Sequence, residues 1–114
     1  MVKPSIRILF GAASSLGPGK IALLESISRA GSISGAAREM GMSYRRAWLL
    51  VEAMNKAFKK PLVMAVTGGK RGGGAEVTAF GHALLLRYRE IEAKAAAAVA
   101  ADLKALAKML AQRE

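Results

Sequence analysis

Residues 31–58, GSISGAAREMGMSYRRAWLLVEAMNKAF, restrict this chain to few folds. The segment reads as two helices joined by a tight turn. Ser32 or Ser34 caps the first helix, which stops before Gly41, and Ser43 caps the second. In the first helix Ala36, Ala37 and Met40 face inward, and the small alanines let the next helix cross closely. In the second, Ala47, Leu50, Val51, Met54 and Phe58 recur at three- and four-residue spacing and form an apolar stripe. Arg45, Arg46, Glu52, Asn55 and Lys56 are left on the other faces, and Trp48, beside the stripe, is expected to be structural. A short helix, a glycine turn and a second helix with a polar, cationic start form the arrangement that fits a DNA major groove.

The flanking segments extend this unit. Residues 5–10 alternate, with Ile6, Ile8 and Phe10 on one side, which predicts a strand. SSLGPGK reads as a turn-rich connection, followed by a helix over about 20–30 that places Ile21, Leu24, Ile27 and Ser28 on or near one face and ends at Gly31. After Pro61, Leu62, Met64 and Val66 alternate as a strand, TGGKRGGGA is a glycine-rich loop, and strand character returns at Glu76, Val77 and Thr78. Two short strands about a basic loop make a β-hairpin, and one that follows a helix-turn-helix is a wing. Thr78 then caps one long helix to about Leu110. At 1.5 Å per residue such a helix is roughly 50 Å long, more than its own small domain can cover. Leu84, Tyr88, Ile91 and Ala95 are spaced 4-3-4, and so are Val99, Leu103, Leu106 and Leu110. The four-residue step between the sets resembles a stutter in a heptad pattern. A partner helix is the simplest account, so a homodimer is expected, with Leu84, Tyr88, Ile91, Val99, Leu103, Leu106 and Leu110 at its interface.

The expected organisation is therefore mainly α (α+β): a winged helix-turn-helix domain over 1–78, with the helix-turn-helix at about 32–58 and the wing at about 61–78, then a long dimerisation helix over 79–114. Of 114 residues 53% are apolar, but 23 are alanines and 12 of those lie after Thr78, so the core must come from the larger side chains. The formal net charge is +10. Positions 38–75 hold eight basic and two acidic residues, an excess that favours nucleic acid or another anionic surface as partner. With no cysteine, disulfides, zinc fingers and thiol catalysis are ruled out. The N-terminus is too broken by Arg7 for a signal sequence, and the apolar run 95–101 is far below the roughly 20 residues of a membrane span. A soluble, cytoplasmic protein without membrane contact is expected.

Within this frame, Ser43, Tyr44, Arg45 and Arg46 occupy the first turn of a recognition helix. Arginine can bond guanine O6 and N7 with two donors or clamp a phosphate, whereas Ser43 is equally a plain cap. Tyr44 can stack on a sugar, bond a phosphate or pack against Trp48. Lys70 and Arg71 lie at the wing tip, where flanking glycines allow close approach to a minor groove or phosphates. Ser32 and Ser34 either aim donors at a phosphate or simply cap their helix. Catalytic readings fail. GPGK would need Gly at 14 and Ser or Thr at 21 to be a phosphate-binding loop, but the chain has Ser14 and Ile21. His82 is the single histidine, so neither a metal site nor a serine–histidine–aspartate set can be assembled. No cofactor, metal or enzymatic activity is expected.

Residues 20–92 resemble the N-terminal domain of the ModE family of molybdate-responsive transcription regulators. The GSIS-x-AAR-x-MGMSYRRAW run and the TGG-x-x-GGGA wing followed by Thr78 and Gly81 carry the resemblance, and the more distant LysR-type regulators share only the GSIS-x-AAR part. The resemblance implies a winged helix that binds an inverted-repeat DNA operator as a dimer, with the third helix in the major groove. It implies Ser43, Tyr44, Arg45, Arg46, Lys70 and Arg71 at the DNA face and the helix after Thr78 as the dimerising element. ModE proteins also carry a C-terminal molybdate-binding region of small β-barrels, which this sequence lacks. A stand-alone DNA-binding member, rather than a piece cut from a longer protein, is therefore expected, without direct molybdate binding. The alternative is a winged-helix protein-interaction module whose basic charge gives only non-specific nucleic-acid binding.

Overall fold

The computed structural model describes residues 2–11, 14–67 and 74–111. The order is β1 (Ile8–Leu9), β2 (Ser15–Leu16), α1 (Pro18–Ala30), α2 (Ile33–Met40), α3 (Tyr44–Ala57), β3 (Val63–Val66), β4 (Gly74–Val77), α4 (Ala79–Ala98) and α5 (Ala100–Ala107). Three short helices, a two-stranded wing and a long following helix agree with the winged helix-turn-helix expected.

Helix α1 starts at Pro18, two residues earlier than predicted, because proline in the first turn forfeits an N–H that would have no partner anyway. It ends where Gly31 takes the left-handed conformation, φ +75°, and its N–H donates to the Ile27 carbonyl at 2.8 Å. Ile21, Leu24 and Ile27 are buried as expected, together with Leu23 and Ser26, while Ser28 is exposed. Ser26 turns inward because it has a partner: its hydroxyl donates to Glu39 Oε1 of α2 at 2.9 Å. Arg29 bonds the same carboxylate, and these two contacts hold the Glu39 carboxyl below the usual carboxylate range.

The core joins Leu24 and Ile27 of α1, Ala36 and Ala37 of α2, Val51 and Met54 of α3, and Val63 and Val77 of the wing. The predicted stripe of α3 is inward, with Ala47, Val51 and Met54 buried and Leu50 and Phe58 half-buried against the core. The wing is antiparallel, with Val63 opposite Val77 and Val66 opposite Gly74. Of the predicted alternation of Leu62, Met64 and Val66, Leu62 is buried and Val66 half-buried, but Met64 is 54% exposed and Val63 is buried as well. Asn55 of α3 holds the start of this strand. Its Oδ1 accepts from the N–H groups of Leu62 at 2.8 Å and Val63 at 3.2 Å, and its Nδ2 donates to the Val63 carbonyl at 3.0 Å. This clip seats the buried Leu62 and Val63 against α3.

The N-terminal alternation holds, since Ile6, Ile8 and Phe10 pack on a second cluster of Leu16, Ile21 and Tyr88. Only two residues of this segment form a strand, and they pair with Ser15 and Leu16, which the sequence reading placed in a connection. Phe10 meets Phe58 edge to face at 5.4 Å between ring centres. Tyr88 is the main departure from the predicted dimer stripe. It is 1% exposed within one chain, and its hydroxyl donates to the Ile6 carbonyl. Burial raises the phenol pKa, so the proton that makes this bond is retained. No side-chain surface of Tyr88 is left for a partner. Leu84 is likewise half-buried against both clusters of its own chain.

The predicted single helix from Thr78 to about Leu110 is interrupted. Val99, with φ −108° and ψ 10°, separates α4 from α5. Val99 itself is bonded on both sides: its N–H donates to Ala95 O at 3.1 Å, and its carbonyl accepts from Leu103 N at 2.9 Å. The break falls at the four-residue step between the two apolar sets, the position where a stutter disturbs regular winding. Ile91, Val99 and Leu103 are half-buried, and Leu106 and Leu110 are 48% and 54% exposed.

Candidate nucleic-acid interface

Both serine caps form. Ser32 Oγ accepts from the Gly35 N–H at 2.9 Å, and Ser43 Oγ accepts from the Arg46 N–H at 3.1 Å. Capping and phosphate contact are compatible, because a hydroxyl that accepts one bond keeps its own proton to donate. Between the two caps, Gly41 at φ +68° closes α2 and turns the chain into α3. A β-carbon in that conformation would be strained.

At 100° per residue, burial of Ala47, Val51 and Met54 fixes what every other α3 side chain faces. Arg45, Leu49 and Glu52 follow the exposed ridge opposite the core. Tyr44 and Trp48 form a second row on one flank, and Arg46 projects on the other. Arg45 and Arg46 are exposed, and among the described residues neither enters an ion pair. Their charges are therefore available to an anionic partner. Trp48 is 42% exposed and Tyr44 55%, and Trp48, expected to be structural, lies outside both core clusters. The large apolar side chain Leu49 is also 46% exposed.

The wing is fastened beside this helix at three places. The Ala75 N–H donates to the Gly31 carbonyl at 2.9 Å, and Gly74 passes so near that a β-carbon there would sit 2.8 Å from the same oxygen. Thr78 closes the base: its hydroxyl donates to the Pro61 carbonyl at 2.7 Å and accepts from Gly81 N at 3.0 Å, capping α4. Asn55 supplies the third fastening. No sequence pattern marked Asn55, because its partners are backbone groups that the fold, not local spacing, brings to it. Lys70 and Arg71 of the predicted wing tip lie outside the described residues. Between α3 and the base of the wing runs a groove of about 410 Å³, walled by Tyr44, Trp48 and Glu52 on one side and by Ser34, Ala65 and Gly74 on the other.

Among the described residues, no three histidine, cysteine or acidic side chains group as metal ligands, and no helix is long and apolar enough to cross a membrane. His82 is exposed on α4.

Residues 19–82 match the sequence profile described as bacterial regulatory helix-turn-helix protein, lysR family. The chain is 48% identical over 86 residues to the molybdenum-pterin-binding protein MopB of Rhodobacter capsulatus, a match covering 75% of this chain and 32% of the relative. It is 40% identical over 79 residues to the molybdenum transport protein ModE of Azotobacter vinelandii, covering 69% and 29%. Over 71 residues it is 44% identical to the DNA-binding transcriptional dual regulator ModE of Escherichia coli, covering 62% and 27%. The chain thus spans about a third of the length of these curated relatives. Its fold is similar to that in the crystal structure of a CbnR DBD–DNA complex, with TM-score 0.57 and 24% identity, covering 78% of this chain and 95% of the other. It is also similar to full-length LysG, an LTTR from Corynebacterium glutamicum with its effector arginine bound, with TM-score 0.56 and 25% identity, covering 82% and 30%. With more than half of its length matched, the chain belongs to the lysR family of bacterial regulatory helix-turn-helix proteins.

Proposed function

We propose that the chain is a dimeric, sequence-specific DNA-binding transcription regulator of the ModE type. In this reading α3 enters the major groove and the wing, residues 67–75, contacts the minor groove or phosphates. The observation that carries it is the pair of exposed cations, Arg45 and Arg46, without acidic partners among the described residues, on the first turn of a helix that α2 and the wing hold from behind. Arg45 lies on the outward ridge and takes the base-reading role; Arg46, about 100° away on the helix, takes a phosphate. Ser34, Ser43 and Tyr44 add phosphate contacts, and Lys70 and Arg71 extend them along the wing.

A second copy meets the first along α4 and α5, where Ile91, Val99, Leu103, Leu106 and Leu110 keep apolar surface that their own chain does not cover. Two recognition helices about a twofold axis then address half-sites about 34–36 Å apart, one turn of DNA. Sedimentation equilibrium tests the dimer. The chain is expected at twice its 12.0 kDa monomer mass, and the double substitution Leu103→Glu, Leu106→Glu should shift it to monomer. A wild-type chain that sediments as a monomer at micromolar concentration would contradict this assembly.

A further inference from the structure

The groove between α3 and the wing is not explained by either element alone. We propose that it seats one sugar–phosphate strand of the bound duplex and that Trp48 is the residue against which a deoxyribose packs. The inference rests on the reading above. If α3 occupies the major groove and the wing the neighbouring minor groove, the strand dividing those grooves must cross the gap between α3 and the wing, which is where the groove lies.

The lining suits that occupant in each part. Trp48 and Ala65 offer apolar surface to the carbon-bound face of a sugar. The hydroxyls of Tyr44 and Ser34 stand at the groove as donors for the phosphates on either side, and Ser34 lies in the first turn of α2, whose N-terminal amides favour an anion. Glu52 is the one carboxylate among the lining residues, and Lys56 lies 3.6 Å from it, so the wall is not left with an uncompensated negative charge. Among the described residues no lysine or arginine lines the groove itself; the exposed cations Arg45 and Arg46 stand on the same first turn of α3 as Tyr44. Trp48 is 42% exposed, outside both core clusters, on a helix whose core face is filled by Ala47, Val51 and Met54, so it keeps aromatic surface for a ligand. It acts as a positioning residue: a sugar contact carries no base identity but sets how deep α3 sits and in what register.

Trp48 is the single tryptophan of the chain, so its fluorescence reports on this groove alone. The probe is the duplex that the wild-type chain enriches from random-sequence DNA, with a scrambled duplex of the same length as comparison. Saturation with the enriched duplex should shift Trp48 emission and protect it from iodide. Trp48→Ala should weaken binding about tenfold, the order expected for returning one aromatic face to water, while Trp48→Phe keeps most of the affinity. Single methylphosphonate linkages walked along each strand should reveal one sensitive position per half-site, at which Trp48→Ala adds little further loss. Replacing thymines by uracil should leave the Trp48 effect unchanged. Unaltered emission and iodide access at saturation would overturn the seat, as would a Trp48→Ala loss that disappears with the thymine methyls. If Trp48→Ala fails to fold, the emission measurement and Trp48→Phe decide. A wild-type chain that enriches no duplex would instead remove the DNA reading on which the inference stands.

Discussion

Replacing Arg45 and Arg46 together by alanine is expected to lower affinity for the cognate duplex by at least a hundredfold while leaving the folded dimer intact. A bidentate arginine–guanine contact is worth about 1–3 kcal/mol of discrimination, and a lost phosphate contact adds to it. Stability should be unaffected for three reasons. Both side chains are exposed, neither is ion-paired among the described residues, and Ser43 caps the backbone N–H of position 46 rather than its side chain. Alanine is also a good helix former. The single substitutions separate the roles. Arg45→Ala should relax preference at one base pair of each half-site, whereas Arg46→Ala should weaken all sequences alike and reduce the salt slope by about one. Gel-shift titrations over a salt series, alongside thermal melts, measure both. An unchanged affinity in the double variant would mean that α3 does not read DNA.

Gly81→Ala should destabilise the fold by about 3 kcal/mol, against the usual rule that alanine stabilises a helix by about 1 kcal/mol over glycine. A β-carbon at Gly81 would lie 2.4 Å from the Leu62 carbonyl oxygen and 2.6 Å from Val77 Cγ1. The oxygen cannot yield cheaply, since it accepts the Thr78 N–H at 2.9 Å and so closes the base of the wing. Relief requires α4 to move off the wing, which also disturbs the second cluster through Leu84 and Tyr88. A fall in melting temperature of about 10 °C corresponds to that loss in a domain of this size. Gly19→Ala in α1 is the control: a β-carbon there meets nothing within 4 Å, so its melting temperature should hold or rise. A Gly81→Ala chain that melts no lower than wild type would show that α4 does not pack this closely.

The parts legible in the sequence are those fixed by local chemistry. Ser32, Ser43 and Thr78 cap helices because their hydroxyls reach the N–H three residues on, and Gly31 and Gly41 end helices because they accept positive φ. The stripe from Ala47 to Met54 follows from helical periodicity alone. What the pattern could not reveal depends on contacts between distant residues. The start of β3 is held by Asn55, a polar residue that local spacing assigns to the surface. Tyr88 continues a heptad-like stripe yet turns into its own chain, because the N-terminal segment brings the Ile6 carbonyl to its hydroxyl. Ser26 rather than Ser28 is buried because Glu39 of the next helix awaits it. Trp48, expected to be structural beside the stripe, stays 42% exposed because Ala47 and Val51 already fill the core face. Of the proposed site, the first turn of α3 was readable, whereas the groove beside it exists only once Gly31 and Asn55 have docked the wing.

Selection of duplexes from a random-sequence DNA pool by the full 114-residue chain tests the central claim most directly. Sequence-specific binding by a dimer predicts enrichment of an inverted repeat whose half-sites lie about one helical turn apart. Retention that falls steeply with salt yet enriches no consensus would contradict it, and would assign the basic surface to non-specific attraction and the exposed helices to a protein partner.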